Sequence, residues 1–263
     1  MPTYRKQLLA ATTAMLMFAG SVVHAADKAT VIMVHGAFAE SNSWDAVTKK
    51  LIEDGFAVVG VANPLRGVSS DAQYLSAIVA STKGAVILVG HSYGGMVISN
   101  AINSQNNIKA LVFVSAFAPE SGETVAQLAG KFPGSTLEAA LAPPVDLPGG
   151  GKDLYIDQRK FHKQFAADVP VAAAKLMAAG QRPVAQAVLE EASGQPAWRN
   201  IPSWFIYGGD DRNIPSASMA WMAARAGSKK TVVVKGASHV VMVSNPALVT
   251  KLIEDAASAS MSK

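Results

Sequence analysis

The chain of 263 residues has no cysteine, which excludes disulfide bridges and thiolate metal sites. Charge is also scarce. Asp, Glu, Lys and Arg make up 16 % of the chain, and the formal net charge of +4 is gathered in no Lys/Arg cluster, so nothing supports nucleic-acid binding. His24, His35, His91, His162 and His239 are scattered without a ligand spacing such as His-x-x-x-His. A metal site is therefore not expected.

Hydrophobic residues are plentiful. They form 50 % of the chain, which suits one large α/β domain with a sizeable core and argues against disorder. Some of this apolar content lies at the start. Arg5 and Lys6 precede an apolar run over 8–23, and Val23-His24-Ala25 places small residues where a signal peptidase reads. The expectation is a signal peptide over 1–25, cleaved after Ala25, and a periplasmic or secreted mature chain without stable membrane insertion. Removing two basic residues lowers the net charge from +4 to +2. A mature chain without cysteine folds under oxidising conditions with no bridge to arrange.

From residue 30 onward, short β-branched runs alternate with helical patterns. Runs at 30–34, 57–62, 85–89, 109–115, 203–207 and 231–234 read as buried strands. Ser43 and Asp71 are candidate caps for helices through Trp44, Val47 and Leu51 and through Tyr74, Leu75, Ile78 and Val79. Met96, Val97, Ile98, Ala101 and Ile102 read as the apolar side of another helix. Asn245 and Pro246 open a last one. Between 119 and 202 the rhythm breaks into Ala-, Gly- and Pro-rich segments, with short helices expected at 123–129, 158–167, 171–179 and 184–192. This stretch is read as a cap insertion over one end of the sheet, with the core formed by 26–118 and 203–263. Alternating strands and helices imply a parallel sheet of about six strands covered on both faces.

Functional groups in such sheets gather beyond the C-terminal strand ends. Gly90-His91-Ser92-Tyr93-Gly94-Gly95 follows one strand and opens a helix, the context of a nucleophile elbow. Asp210 and Asp211 follow the strand after the insertion, and His239 follows the last. The order Ser, acid, His suits a nucleophile, an orienting carboxylate and a general base, because a serine hydroxyl needs a base to attack at neutral pH. Charge developing on a carbonyl oxygen needs two backbone N–H donors. One is the amide of Tyr93 and the other that of Ala37 or Phe38, after the first strand. His35 and His91 sit beside glycines in tight turns and are assigned structural roles. Helical spacing assigns Trp44, Phe161, Phe165, Trp198 and Trp221 to packing ahead of an acyl pocket.

Together with Val31-Ile32-Met33-Val34-His35-Gly36-Ala37-Phe38, Val112-Phe113-Val114-Ser115-Ala116-Phe117-Ala118-Pro119 and Gly236-Ala237-Ser238-His239, the elbow resembles the α/β-hydrolase superfamily. The likeness is to small bacterial esterase-like members related to plant methyl esterases and hydroxynitrile lyases. It covers essentially the whole mature chain. It implies the acid in a Gly-x-x-Asp-x-x-x-Pro stretch, matched by Gly208, Asp211 and Pro215, and a second oxyanion donor at Ala37, with Phe38 as the alternative. It also implies that the first two strands of larger relatives are missing. Serine at the elbow departs from haloalkane dehalogenases and epoxide hydrolases. Val240 after His239, and glycine at position 36, depart from the lysine and threonine of plant-type lyases. The expected activity is cofactor-free hydrolysis of a small or medium apolar carboxylic ester through an acyl-enzyme. A perhydrolase or haloperoxidase-like enzyme with the same triad, or a non-catalytic ligand-binding member, are the alternatives.

Overall fold

The computed structural model describes residues 28–102, 104 and 106–261; segment 1–25 lies outside the described residues. The chain begins with β1 (Thr30–Val34), α1 (Asp45–Glu53), β2 (Ala57–Val61), α2 (Val68–Ser81), β3 (Val86–His91), α3 (Gly94–Ser99) and β4 (Ile108–Val114). The middle holds α4 (Val125–Gly130), β5 (Val145–Asp146), β6 (Lys152–Leu154), α5 (Gln158–Phe165), α6 (Val171–Ala179) and β7 (Val184–Ala185). It ends with β8 (Ser203–Gly208), α7 (Ser216–Arg225), β9 (Thr231–Val234), α8 (Val241–Ser244) and α9 (Pro246–Met261).

Among the described residues, six strands form one parallel sheet in the order β2-β1-β3-β4-β8-β9. Every residue of β3 is buried, as a central strand covered on both faces requires. The edge strand β9 instead alternates exposed and half-buried residues. α1 packs with α9, and α2 with α3, over this sheet. No helix among the described residues is long and apolar enough to cross a membrane.

The structure departs from the sequence reading in five places. Asp71 lies inside α2, whose N-cap is Gly67, four residues before the expected cap. Its carboxylate turns inward because it has buried polar partners there. Ser43 bonds the Glu40 carbonyl at 2.6 Å within a 3₁₀ turn (Ser41–Trp44) and does not cap α1. The helix after Ser92 stops at Ser99, with all six residues buried, and leaves Ile102 exposed. Residues 184–192 are not an α-helix. Val184 and Ala185 pair with β6, and a 3₁₀ turn (Gln186–Leu189) follows. The antiparallel trio β5-β6-β7 gives no strand signal in sequence, since runs of two or three residues are too short to show alternation.

Residues 119–202 add no strand to the main sheet and are bonded to its connections. Arg66 reaches Asp153 of β6 at 2.6 Å, and the Ala185 N–H donates to Leu65 O at 3.0 Å. Glu191 accepts the N–H groups of Val68 and Ser69 at 2.7 and 2.8 Å. A side chain distant in sequence thus caps α2, where Gly67 has none to offer.

Candidate active site

Four loops bring the predicted residues to the C-terminal ends of β1, β3, β8 and β9. Ser92 has φ +54°, a left-handed conformation that costs a non-glycine residue on the order of 1–3 kcal/mol. The surrounding bonds hold it there. Its N–H donates to Val114 O at 3.2 Å, while its carbonyl accepts from Gly95 N at 3.0 Å and Phe117 N at 3.2 Å. A Cβ at Gly90 would meet Gly94 O at 2.6 Å, and one at Gly94 would meet Val34 O at 2.4 Å. The turn is tight enough that backbone fills both spaces.

His239 is buried, and its Nδ1 lies 2.6 Å from Asp211 Oδ2. The other carboxylate oxygen accepts the N–H groups of Asn213 and Ile214 at 2.8 and 3.0 Å. An acceptor-only carboxylate fixed this way requires the proton on Nδ1, which leaves Nε2 of the neutral ring basic. Nε2 is buried with no hydrogen-bond partner among the described residues. It makes no hydrogen bond to Ser92 here, but both residues line one cavity, and catalytic hydrogen bonds that are long without substrate commonly tighten when it binds. Asp210 is exposed, and so the structure brings Asp211 and not its neighbour to the histidine.

The two candidate second donors also separate. The Phe38 N–H donates to Arg182 O at 3.0 Å, whereas the amides of Ala37 and Tyr93 have no backbone acceptor among the described residues. Ala37 and Tyr93 line the cavity with Ser92.

His35 and His91 are structural neighbours of this site. His35 accepts the Asn63 N–H on Nε2 at 3.0 Å and faces Gly36 O with Nδ1 at 2.9 Å, tying the loops after β1 and β2. His91 donates from Nε2 to the His239 carbonyl at 3.2 Å, and its ring lies 4.7 Å from that of His239. Burial lowers the pKa of both rings, and for His91 the adjacent His239 lowers it further. Both are therefore neutral when folded and take up a proton on unfolding below the ordinary imidazole value of about 6.5. The unfolded chain then binds more protons, so this stability is present in full above that pH and is lost as the pH falls below it. The slope is up to about 1.4 kcal/mol per pH unit for each ring. Urea unfolding at pH 7.5 and pH 5.5 is expected to give a lower midpoint at pH 5.5; equal midpoints would contradict the assignment of neutral rings.

The cavity measures about 710 Å³. Its floor is Ser92, His239 and Ala37, and its walls include Val125, Ala129, Leu137, Leu141, Leu154 and Val188 from the insertion. Of the aromatic residues assigned to packing, Phe165 does line it and lies 5.0 Å from the His239 ring. Trp44, Phe161 and Trp198 are buried away from it, and Trp221 packs against Arg225 at 4.1 Å. Glu138 and Glu190 are the carboxylate side chains among its lining residues, and no Lys or Arg lines it.

Sequence spacing marks Asp71 only as a helix cap. Its carboxylate is buried and accepts the Tyr93 hydroxyl at 2.9 Å. The available signal was an acidic residue on the apolar stripe of Val68, Ala72, Leu75 and Val79.

The pattern of the alpha/beta hydrolase family matches residues 31–252. The chain is 22 % identical to an alpha-hydroxynitrile lyase of Arabidopsis thaliana over 82 % of this chain and 92 % of that protein. It is also 22 % identical to methylesterase 8 of the same plant, over 83 % and 86 %. Among solved structures it resembles polyneuridine aldehyde esterase, with a TM-score of 0.74, 21 % identity and coverage of 87 % of this chain and 98 % of that one.

Proposed function

Because the chain belongs to the alpha/beta hydrolase family, we propose that it cleaves carboxylic esters through an acyl-enzyme on Ser92, without a cofactor. The observation that carries this reading is the His239–Asp211 pair at 2.6 Å, in which Nε2 is left without a partner and His239 lines the same cavity as Ser92. In the proposed reaction Nε2 takes the Ser92 proton as Oγ attacks the carbonyl carbon. The Ala37 and Tyr93 amides receive the oxyanion, and the imidazolium returns the proton to the departing alcohol. Water then repeats the sequence on the acyl group.

Apolar walls, and carboxylates without a Lys or Arg among the lining residues, favour an uncharged ester of small to medium size. A lyase reading finds less support. Val240 stands where the plant-type lyases place a lysine, and a Cβ at Gly36 would fall 2.5 Å from Ser92 Cβ, so the threonine of those lyases would crowd the nucleophile here.

A fluorophosphonate probe is expected to label Ser92 alone, located by peptide mass spectrometry. On p-nitrophenyl esters, kcat/KM is expected to climb with acyl length, by at most about fourfold per methylene, until the cavity is filled. A probe that leaves Ser92 unmodified would overturn the mechanism. We further propose that the protein is exported with cleavage after Ala25; recovery of a mature chain still bearing Met1 would refute that part.

A further inference from the structure

Tyr93 contributes only its backbone amide to the proposed reaction, yet its side chain is 2 % exposed and ends on a buried carboxylate. The phenol donates to Asp71 Oδ2 at 2.9 Å. Asp71 is 1 % exposed and also accepts the Arg66 N–H, at 3.3 Å on Oδ1 and 3.2 Å on Oδ2. The Arg66 side chain continues to Asp153 of β6 at 2.6 Å and to Pro183 O at 3.0 Å. The residue whose amide follows the nucleophile is therefore anchored at its far end to α2, and through Arg66 to the insertion. Burial, and then the nearby carboxylate, raise the phenol pKa far above the usual tyrosine value, so the hydroxyl keeps its proton and remains the donor.

We propose that Tyr93 and Asp71 form a positioning pair that aims the Tyr93 N–H into the oxyanion hole. The inference rests on the acyl-enzyme reading above. An amide at the start of α3 is held on one side by the strained Ser92 and on the other by the orientation of its own side chain. Without the anchor, the ring can rotate with its peptide and spoil the donor angle, to which oxyanion stabilisation is sensitive.

The test is Tyr93→Phe, which keeps the ring and removes the bond, with Tyr74→Phe as control on an exposed residue of α2. On p-nitrophenyl butyrate, Tyr93→Phe is expected to lower kcat about tenfold or more, with KM within about twofold and Tyr74→Phe unchanged. The ester-to-thionoester rate ratio is expected to fall, because sulfur is a poor acceptor and reports donor alignment. Asp71→Asn on top of Tyr93→Phe is expected to add little, as members of one unit are non-additive. A Tyr93→Phe protein with a lower melting temperature but unchanged kcat and thionoester ratio would overturn the pairing. If Asp71→Asn fails to fold, the single Tyr93 variant still decides. Loss of activity in Ser92→Ala alongside a normal Tyr93→Phe would sink this inference alone; an active Ser92→Ala would instead remove the reading beneath it.

Discussion

Ser92→Ala is expected to lower kcat on p-nitrophenyl butyrate by at least about 10⁴-fold, or about 5.5 kcal/mol of transition-state stabilisation. The substitution removes the attacking oxygen and little else. Alanine has the same Cβ, so the tight turn between Gly90 and Gly94 meets no new atom, and the φ of +54° is as costly to alanine as to serine. The melting temperature should therefore stay within a few degrees of the parent. The separation matters because Ser92 lies at the crossing of β3, β4 and the loop after β1, where a misfolded variant would also be inactive. Comparing kcat with the thermal midpoint distinguishes the two. Turnover above about a hundredth of the parent's, in a folded protein, would mean that another group attacks the ester.

The second large effect is expected at Asp211 and should be absent at its neighbour. In Asp211→Asn the amide oxygen is retained by the N–H groups of Asn213 and Ile214, which now bond Oδ1 at 2.8 and 3.0 Å. The new NH₂ must then face Nδ1 of His239, and two donors cannot share that contact. The imidazole has to move its proton to Nε2, the position that must be vacant to accept one from Ser92. A loss of about 10⁴-fold in kcat follows, with substrate binding little changed. Asp210→Asn changes an exposed side chain and is expected to leave kcat within about twofold. Equal losses for the two variants would argue that the local charge, and not the tautomer, supports the reaction.

Much of the sheet was legible because its central strands are short buried β-branched runs with turn residues between them, as in Val86–His91. The elbow was legible because tight packing leaves only glycine at positions 90 and 94. What stayed hidden depends on contacts between residues far apart in the chain. Nothing local distinguishes Ala37 from Phe38 as a donor. The difference is the Arg182 carbonyl, 144 positions further on, which takes the Phe38 amide. Asp71 has the spacing of a helix cap, and only the arrival of the Tyr93 hydroxyl shows why it points inward. The stretch 184–192 has helical composition, but pairing of Val184 and Ala185 with β6 overrides that preference. Phe165 looked like ordinary core because one face of it is. Its contact with the His239 ring depends on where α5 is placed over the sheet.

The bond from the Phe38 N–H to Arg182 O also bears on attempts to enlarge the entrance by trimming residues 119–202. Phe38 holds φ +61°, an unfavourable geometry for an aromatic residue, and that carbonyl is a restraint on it. With the segment around Arg182 deleted, the peptide is released to relax, and it carries the adjacent Ala37 donor with it. An engineered variant with an open mouth would then accept larger molecules yet process them slowly, so designs that widen access should spare the backbone at 182 and cut nearer to β5.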